Sequence, residues 1–127
     1  MTDFVLDSSV ILAVLKQEPG DETVLDYAVG AMMSSVTLAE IVTKCVELSI
    51  STAAALDFVS GSNIEVLDFT EQHAVLAGLL QQRAKKGVLS FGDRACIATA
   101  TLAKATAVTA DRVWTTLELG CPVELIR

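Results

Sequence analysis

Residues 4–16 read FVLDSSVILAVLK, and this segment sets the architecture of the whole chain. Its first three residues form a short apolar run that predicts a buried strand over 4–6. Apolar residues at helical spacing then predict a helix over 9–16, which the Pro-Gly pair at 19–20 terminates. Asp7 stands between the two elements, directly after the strand. The segment therefore predicts a β–α unit with an acidic residue at its turn.

The same alternation of short apolar runs and helical patterns continues along the chain. The predicted strands are 4–6, 31–34, 64–67, 107–109 and 123–126, and the predicted helices are 9–16, 21–30, 37–48, 51–59, 70–86, 90–104 and 111–119. Strands that alternate with helices predict an α/β fold with a central parallel sheet, covered on both faces and joined by right-handed connections. Ligands of such open sheets bind beyond the carboxyl ends of the strands.

The length and composition limit the class of protein. A chain of 127 residues corresponds to a single domain over 1–127, and 52% hydrophobic with 20% charged residues excludes a disordered chain. The longest uncharged stretch, 27–39, is shorter than the ~20 residues that span a bilayer, so we expect no membrane association. The N-terminus lacks the basic region of a signal peptide. The three cysteines are widely spaced and form no CxxC motif, so we expect buried, reduced thiols in a cytoplasmic protein and not a metal or redox site.

The charge balance argues against nucleic-acid binding by bulk attraction. The chain has 9 basic and 16 acidic residues, which gives a net charge of −7. A protein that holds a polyanion by its overall charge is basic. Any nucleic-acid partner must therefore meet a local basic patch or bound cations.

Four carboxylates occupy corresponding places in the predicted elements. Asp7 directly follows the strand 4–6 and Asp111 follows the segment 107–110, whereas Glu40 and Asp93 fall in the first turns of predicted helices. Because the strands are predicted to be parallel, these helix starts lie at one end of the sheet, where the four side chains can converge. Convergent carboxylates repel one another unless a cation lies between them, and their hard oxygens suit Mg²⁺ or Mn²⁺.

Helix capping is the competing interpretation of each acid. Aspartate is a favoured N-cap residue, so Asp7 and Asp111 also fit simple caps. The segments 37–40 (Thr-Leu-Ala-Glu) and 90–93 (Ser-Phe-Gly-Asp) fit the capping-box pattern.

No phosphate-binding glycine loop is present, and His73, the only histidine, is predicted to lie within a helix. Metal-assisted hydrolysis of a phosphodiester is the chemistry that four convergent acids would support.

At these residues the sequence resembles the PIN-domain family and, within it, the VapC-type toxins of type II toxin–antitoxin pairs. The matching segments occur in family order and are 5–13 (VLDSSVILA), 35–40 (SVTLAE), 89–98 (LSFGDRACIA) and 108–114 (VTADRVW). None of the four acids departs from the family pattern.

The resemblance implies a PIN-like three-layer α/β/α sandwich and a Mg²⁺- or Mn²⁺-dependent ribonuclease. It implies that Asp7, Glu40 and Asp93 are the main metal ligands and that Asp111 is a second-site ligand or acts through water. Ser8 and Thr109 match hydroxyl positions that support metal-bound waters. It further implies a homodimer that is silenced by a small cognate antitoxin inserted near the active site.

Several basic and aromatic residues are candidates for RNA contacts. Arg83, Lys85 and Lys86 lie at the end of the predicted helix over 70–86, where they suit either the helix dipole or an RNA phosphate. Arg94 and Arg112 each follow a site acid and suit either neutralisation of that acid or contact with substrate or antitoxin. For Trp114 we expect core packing rather than base stacking.

Two alternatives to a nuclease remain. A receiver-like domain would use an acidic pocket and Mg²⁺ to accept a phosphoryl group, but it requires paired acids at the first strand and a lysine near the last strands. The first strand here has Asp3 and Asp7, which are not adjacent, and neither of the last two predicted strands contains a lysine. The other alternative is a catalytically silent PIN-like module that binds RNA or a partner, which an activity assay distinguishes.

Overall fold

The structure, a computed structural model, describes residues 3–127. The helices are α1 (Ser8–Leu15), α2 (Val24–Ala28), α3 (Ser35–Leu48), α4 (Thr52–Gly61), α5 (Glu71–Leu79) and α6 (Phe91–Leu102). The strands are β1 (Phe4–Leu6), β2 (Met32–Ser34), β3 (Glu65–Leu67), β4 (Thr106–Thr109) and β5 (Val123–Leu125). Short 3₁₀ helices cover Asp21–Thr23, Leu80–Arg83 and Arg112–Thr116. Within the described range, no helix is long and apolar enough to cross a membrane.

The five strands form one parallel sheet in the order β3-β2-β1-β4-β5. In the central strand, Val5 lies beside Met32 of β2 and Ala107 of β4. This strand has neighbours on both sides, and its second and third residues are fully buried. The carboxyl ends of β1, β2 and β4 therefore meet at one edge of the sheet, which is the edge where the predicted acids follow.

Alternation along the strands divides the core into two layers. Leu6 packs with Ile11 of α1 and Ile41 of α3 on one face of the sheet. Its neighbour Val5 packs on the other face with Ile97 of α6 and Trp114. Helices thus cover both faces, and the predicted α/β/α sandwich is confirmed.

The helix predicted over 70–86 is shorter in the structure. Regular α-helix ends at Leu79, a 3₁₀ turn continues to Arg83, and Ala84 is extended at φ −151°. Gly78 weakens the last turn because glycine costs about 1 kcal/mol relative to alanine inside a helix. The side-chain amide of Gln81 then donates to the Ala84 carbonyl at 3.4 Å. The residues at 85–86 therefore lie in the loop before α6 and not on a helix.

Two shorter segments also differ from the helices predicted for them. The region 111–119 forms only the 3₁₀ turn Arg112–Thr116, because the hydroxyls of Thr115 and Thr116 donate to carbonyls three residues back, at 2.7 Å each. The region 21–30 divides into a 3₁₀ turn and the five-residue α2. Both segments are polar or exposed along much of their length, so tertiary packing does not extend them.

Helix α3 begins earlier than predicted, and this changes the position of Glu40. Ser34 is the N-cap, and its side chain accepts from the backbone N–H of Val36 at 3.1 Å. Glu40 is therefore in the second turn and not the first, and the capping box predicted over 37–40 is wrong. Because the Glu40 carboxylate does not cap the helix, it can lie beside the other predicted acids.

Candidate active site

Asp7 is held at the carboxyl end of β1 by the sheet itself. Its backbone N–H donates to the Val108 carbonyl at 2.9 Å and so extends the pairing of β1 with β4 by one residue. The side chain is only 4% exposed. Although Asp7 occupies the N-cap position of α1, its carboxylate makes no capping hydrogen bond. The capping interpretation is thus wrong for Asp7, whose carboxylate enters a hydroxyl network instead.

Two hydroxyl groups hold one oxygen of this carboxylate. Asp7 Oδ2 accepts from Ser9 Oγ at 2.7 Å and from Thr109 Oγ1 at 3.0 Å. Ser9 Oγ also accepts from the N–H of Ala110 at 3.0 Å, so the network ties the start of α1 to the end of β4. The other oxygen, Oδ1, is buried and has no hydrogen-bond partner among the residues that the structure describes.

Ser9 is the member of this network that the sequence interpretation missed. The prediction named Ser8, whose backbone N–H interacts with the Asp7 carboxylate and lowers its pKa. The supporting roles of Ser8 and Thr109 toward metal-bound water stay predictions. A hydroxyl two residues after a strand-end aspartate can reach that carboxylate, as Ser9 does, and this spacing is the signal that could have indicated Ser9.

Glu40 reaches the site from α3 by lying against α6. Its carboxylate contacts the backbone at Gly92 and fills the space that a β-carbon at that position would need. Oε1 is buried and, in the described part of the chain, has no hydrogen-bond partner. Gly92 therefore makes room for an acid of which one buried oxygen, Oε1, has no donor among residues 3–127.

Asp93 caps its own helix while facing the other acids. Its Oδ2 accepts from the N–H of Ser90 at 3.0 Å, and its own N–H donates to Ser90 Oγ at 3.1 Å. This pair is the capping box predicted over 90–93. Capping and membership of the acidic site are thus compatible for Asp93, because the cap fixes the carboxylate at the start of α6.

Asp111 lies at the exposed rim of the same edge. Its Oδ1 accepts from the N–H of Val113 at 3.1 Å, which is the cap predicted for it. Its own N–H donates to Thr109 Oγ1 at 3.1 Å, so it is joined to the Asp7 network through one hydroxyl.

Burial and mutual repulsion raise the pKa values of the inner acids. The pKa of Asp7 is raised to about 6, mainly by desolvation, which the hydrogen bond from Ser9 opposes and to which the charge of Asp93 adds. Desolvation, followed by the charges of Asp7 and Asp93, raises the pKa of Glu40 to about 7. The pKa of Asp93 is also raised, first by desolvation, and the charge of Asp111 contributes to that rise. The four acids therefore form one interacting set.

This set has the chemistry of a divalent-cation site. Asp7 Oδ1 and Glu40 Oε1 are buried acceptors for which the described residues provide no donor, and a cation would satisfy both. Across residues 3–127, no three His, Cys, Asp or Glu side chains by themselves form a metal-binding group. Mg²⁺ does not need such a cage, because it keeps several waters and binds through one or two carboxylates together with substrate phosphates.

The basic candidates differ in their surroundings. Arg83, Lys85, Lys86 and Arg112 are exposed. Arg94 is half-buried, and its guanidinium donates to the Ala77 carbonyl of α5 at 3.0 Å, so it fastens α6 to α5. Contacts of these five residues with RNA stay predictions.

The aromatic residue exposed near the site is Phe91 and not Trp114. Trp114 is fully buried, as core packing predicts. Phe91, at the first position of α6, is 52% exposed and meets Phe69 edge-to-face with ring centroids 5.6 Å apart. Phe69 in turn faces the His73 ring at 5.9 Å. The sequence interpretation did not single out Phe91, although an aromatic residue two positions before a site acid is a usable signal.

Together, fold and site define an α/β sandwich protein with a cluster of acidic side chains at the carboxyl edge of a parallel sheet. Comparison of the sequence with family profiles matches the PIN domain over residues 4–118. The chain therefore belongs to the PIN-domain family. A comparison with curated proteins finds no match.

Solved structures share the fold over nearly the whole chain. DNA-bound VapBC from Salmonella typhimurium has a TM-score of 0.73 at 23% identity and covers 100% of both chains. VapC20 from Mycobacterium tuberculosis, described as a sarcin-ricin loop cleaving toxin, has a TM-score of 0.75 at 16% identity, covering 90% of this chain and 94% of that chain. VapBC-5 from Mycobacterium tuberculosis has a TM-score of 0.65 at 24% identity, covering 100% and 99%. At these identities the likeness establishes the fold.

Proposed function

We propose that this protein is a divalent-cation-dependent endoribonuclease. The observation that carries the proposal is the pair of buried carboxylate oxygens, Asp7 Oδ1 and Glu40 Oε1, which no donor in the described chain satisfies. Burying an unpaired carboxylate in its charged form costs free energy, and for this reason the pKa values of both residues are raised. The two oxygens lie at the edge of the sheet where ligands of open α/β folds bind, and a divalent cation would offset the cost of burying them.

The proposed ligands are Asp7, Glu40 and Asp93, with Asp111 acting from the rim directly or through water. When bound, Mg²⁺ or Mn²⁺ would supply a water of lowered pKa and stabilise the leaving oxygen of the phosphodiester. The protein's own part is to orient the acids: Thr109 and Ser9 fix the Asp7 carboxylate, and Ser90 fixes Asp93. Ser8 and Thr109 would also support the waters around the cation.

RNA is the proposed substrate, and the basic residues around the site are its proposed phosphate contacts. The exposed groups are Arg83, Lys85, Lys86 and Arg112, and Arg94 would contribute only if its bond to Ala77 leaves a donor free. Phe91 adds an exposed ring two positions before Asp93, on which a base can stack. Because the net charge is −7, these local groups and the bound cation would have to overcome long-range repulsion.

We further propose that the protein is the toxin of a toxin–antitoxin pair. It would act in the cytoplasm as a homodimer, with each chain forming one domain over 1–127. The support is the shared fold with VapBC complexes from several bacteria. A small cognate antitoxin would then silence the enzyme by inserting a segment near the acids.

The receiver-like alternative conflicts with the topology. Receiver domains have the strand order 2-1-3-4-5, whereas this sheet has the order β3-β2-β1-β4-β5. A catalytically silent PIN module is instead an outcome of the activity test.

The test is cleavage of total cellular RNA by the purified, antitoxin-free chain in Mg²⁺ or Mn²⁺. We expect discrete fragments that are absent when chelator is added and absent when the Asp7→Asn variant replaces the parent. The variant is purified by the same procedure as the parent, so that it reveals any contaminating nuclease. Intact RNA in every lane, from a folded protein that binds Mn²⁺, would contradict the nuclease and favour the silent module. Discrete fragments that persist in Asp7→Asn would contradict the site.

A further inference from the structure

Three aromatic rings form a row beside the acidic site. The Phe91 ring meets Phe69 edge-to-face, and the Phe69 ring lies 5.9 Å from that of His73 at an interplanar angle of 34°. Phe91 is mostly exposed, whereas Phe69 and His73 are half-buried. Phe91 begins α6, Phe69 follows β3, and His73 is in the first turn of α5, the helix after β3. All three rings therefore lie at the carboxyl edge of the sheet, where the acids are.

Polar contacts hold both ends of this row in place. The backbone N–H of Phe69 donates to Ser35 Oγ at 3.2 Å, which ties the middle ring to the start of the helix that carries Glu40. The guanidinium carbon of Arg94 lies 6.0 Å from the centroid of the Phe91 ring and places a cation at that end. A row of rings stacks on any base, because every base has a π-face. The rings alone would bind a base without selecting one.

The hydrogen bonds of His73 fix which ring nitrogen carries the proton. The backbone N–H of Thr70 donates to Nδ1 at 3.2 Å, so Nδ1 holds a lone pair. In the neutral imidazole the proton is then on Nε2, which is a donor. Nε2 makes no hydrogen bond within residues 3–127 and is not buried. The row therefore includes one accessible N–H donor, and the capping box of α5 holds its ring in position.

We propose that His73 is a specificity-determining residue that selects a keto base, uracil or guanine, for the nucleotide stacked on this row. Its Nε2–H donates to O4 of uracil or O6 of guanine. Cytosine and adenine carry an amino group at the corresponding position, so a donor would face a donor. Stacking on Phe91 supplies affinity and His73 supplies the discrimination. The inference rests on RNA as the proposed substrate and adds a feature of the RNA that the acids do not read.

Decauridylate and decacytidylate test this selection, because their bases differ by a keto against an amino group at position 4. Fluorescence anisotropy of the labelled oligonucleotides with the full chain measures both dissociation constants in Ca²⁺, which also binds carboxylate oxygens. Electrophoresis of the same samples shows that the oligonucleotides stay intact. We expect decauridylate to bind about fivefold tighter, the effect of one neutral hydrogen bond. Equal dissociation constants would overturn the selection.

Two substitutions of His73 keep the cap and differ in the group that they present. Glutamine and glutamate are the usual partners of a capping threonine at this position, so both accept from Thr70. His73→Gln retains an N–H donor, and its preference for decauridylate should stay within about twofold of the parent's. His73→Glu presents only acceptors, so the preference should vanish or reverse while the added charge weakens both complexes. A parent-like preference in His73→Glu, or loss of the preference in both variants, would overturn the role of His73.

Phe91→Leu separates stacking from selection. It should weaken the binding of both oligonucleotides at least about fivefold and leave their ratio unchanged. Circular dichroism would show that the three variants fold. A folded parent that binds neither oligonucleotide would overturn both RNA as the substrate and the selection by His73. A parent that cleaves RNA but binds the two oligonucleotides equally would overturn the selection alone.

Discussion

The Glu40 carboxylate occupies the space beside the α-carbon of Gly92, so the acid of one helix is fitted to the missing side chain of another. This contact brings α3 and α6 together at the carboxyl edge of the sheet and places Glu40 within electrostatic reach of Asp7 and Asp93. The position of Glu40 therefore depends on a residue that has no functional group.

Gly92→Ala should displace Glu40 and lower RNA cleavage by roughly 10- to 100-fold, because small misplacements of a catalytic group have effects of that size. Mn²⁺ affinity, measured by calorimetry, should fall in parallel. Gly61→Ala is the control, since a β-carbon at Gly61 meets nothing within 4 Å. Unchanged Mn²⁺ binding by a folded Gly92→Ala protein would show that Glu40 is not a ligand.

Cation-free protein should lose stability as the pH rises from about 4 to about 7. The folded state raises the pKa values of Asp7 to about 6 and Glu40 to about 7, so it binds protons more tightly than the unfolded chain does. Their stabilising contribution is complete below the ordinary values near 4 and is lost as each group ionises. Thermal unfolding in chelator at pH 5 and pH 8 measures the effect.

Asp7→Asn should reduce this pH dependence and stabilise the cation-free protein at pH 8, by at most about 3 kcal/mol. Added Mn²⁺ should stabilise the parent at pH 8 more than the variant, because the cation neutralises the ionised acids. If the stability of the variant depends on pH as strongly as that of the parent, the pKa of Asp7 is not raised in the folded protein.

Asp93→Ala should abolish cleavage and lower the free energy of unfolding by about 1 kcal/mol, the usual loss for a helix cap. Ser90→Ala removes the partner hydroxyl of the same capping box but keeps the carboxylate. It should lose a similar amount of stability while retaining most of its cleavage rate. Equal loss of activity in the two variants would indicate that Asp93 acts only through helix capping.

Phe91→Ala should raise KM for RNA about 5- to 100-fold with a smaller change in kcat, since stacking on one base contributes ~1–3 kcal/mol. Phe91→Trp should preserve KM because it retains an aromatic surface. Leu56→Ala, at another exposed apolar site, serves as the control. Parent-like KM in Phe91→Ala would leave the ring without a role in RNA binding.

The sequence was sufficient for the parallel sheet because short strand-like segments alternate with helical patterns along the whole chain. Asp7 could be placed for the same reason: the strand ends at Leu6, and the next residue must lie at the carboxyl edge. The contact of Glu40 with Gly92 could not be predicted, because it depends on the packing distance between two helices distant in sequence. The early end of α5 depends on a balance between Gly78 and local side-chain bonds, which periodicity does not reveal.

The burial of Trp114 gives this molecule an optical property. It is the only tryptophan in the chain, it is fully enclosed, and its indole N–H has no acceptor in the described residues. Its fluorescence should therefore be blue-shifted in the native state and move to longer wavelength when the core opens. Since Trp114 follows Asp111 by three residues and packs against the layer that contains α6, one intrinsic chromophore reports on the integrity of the protein without any label.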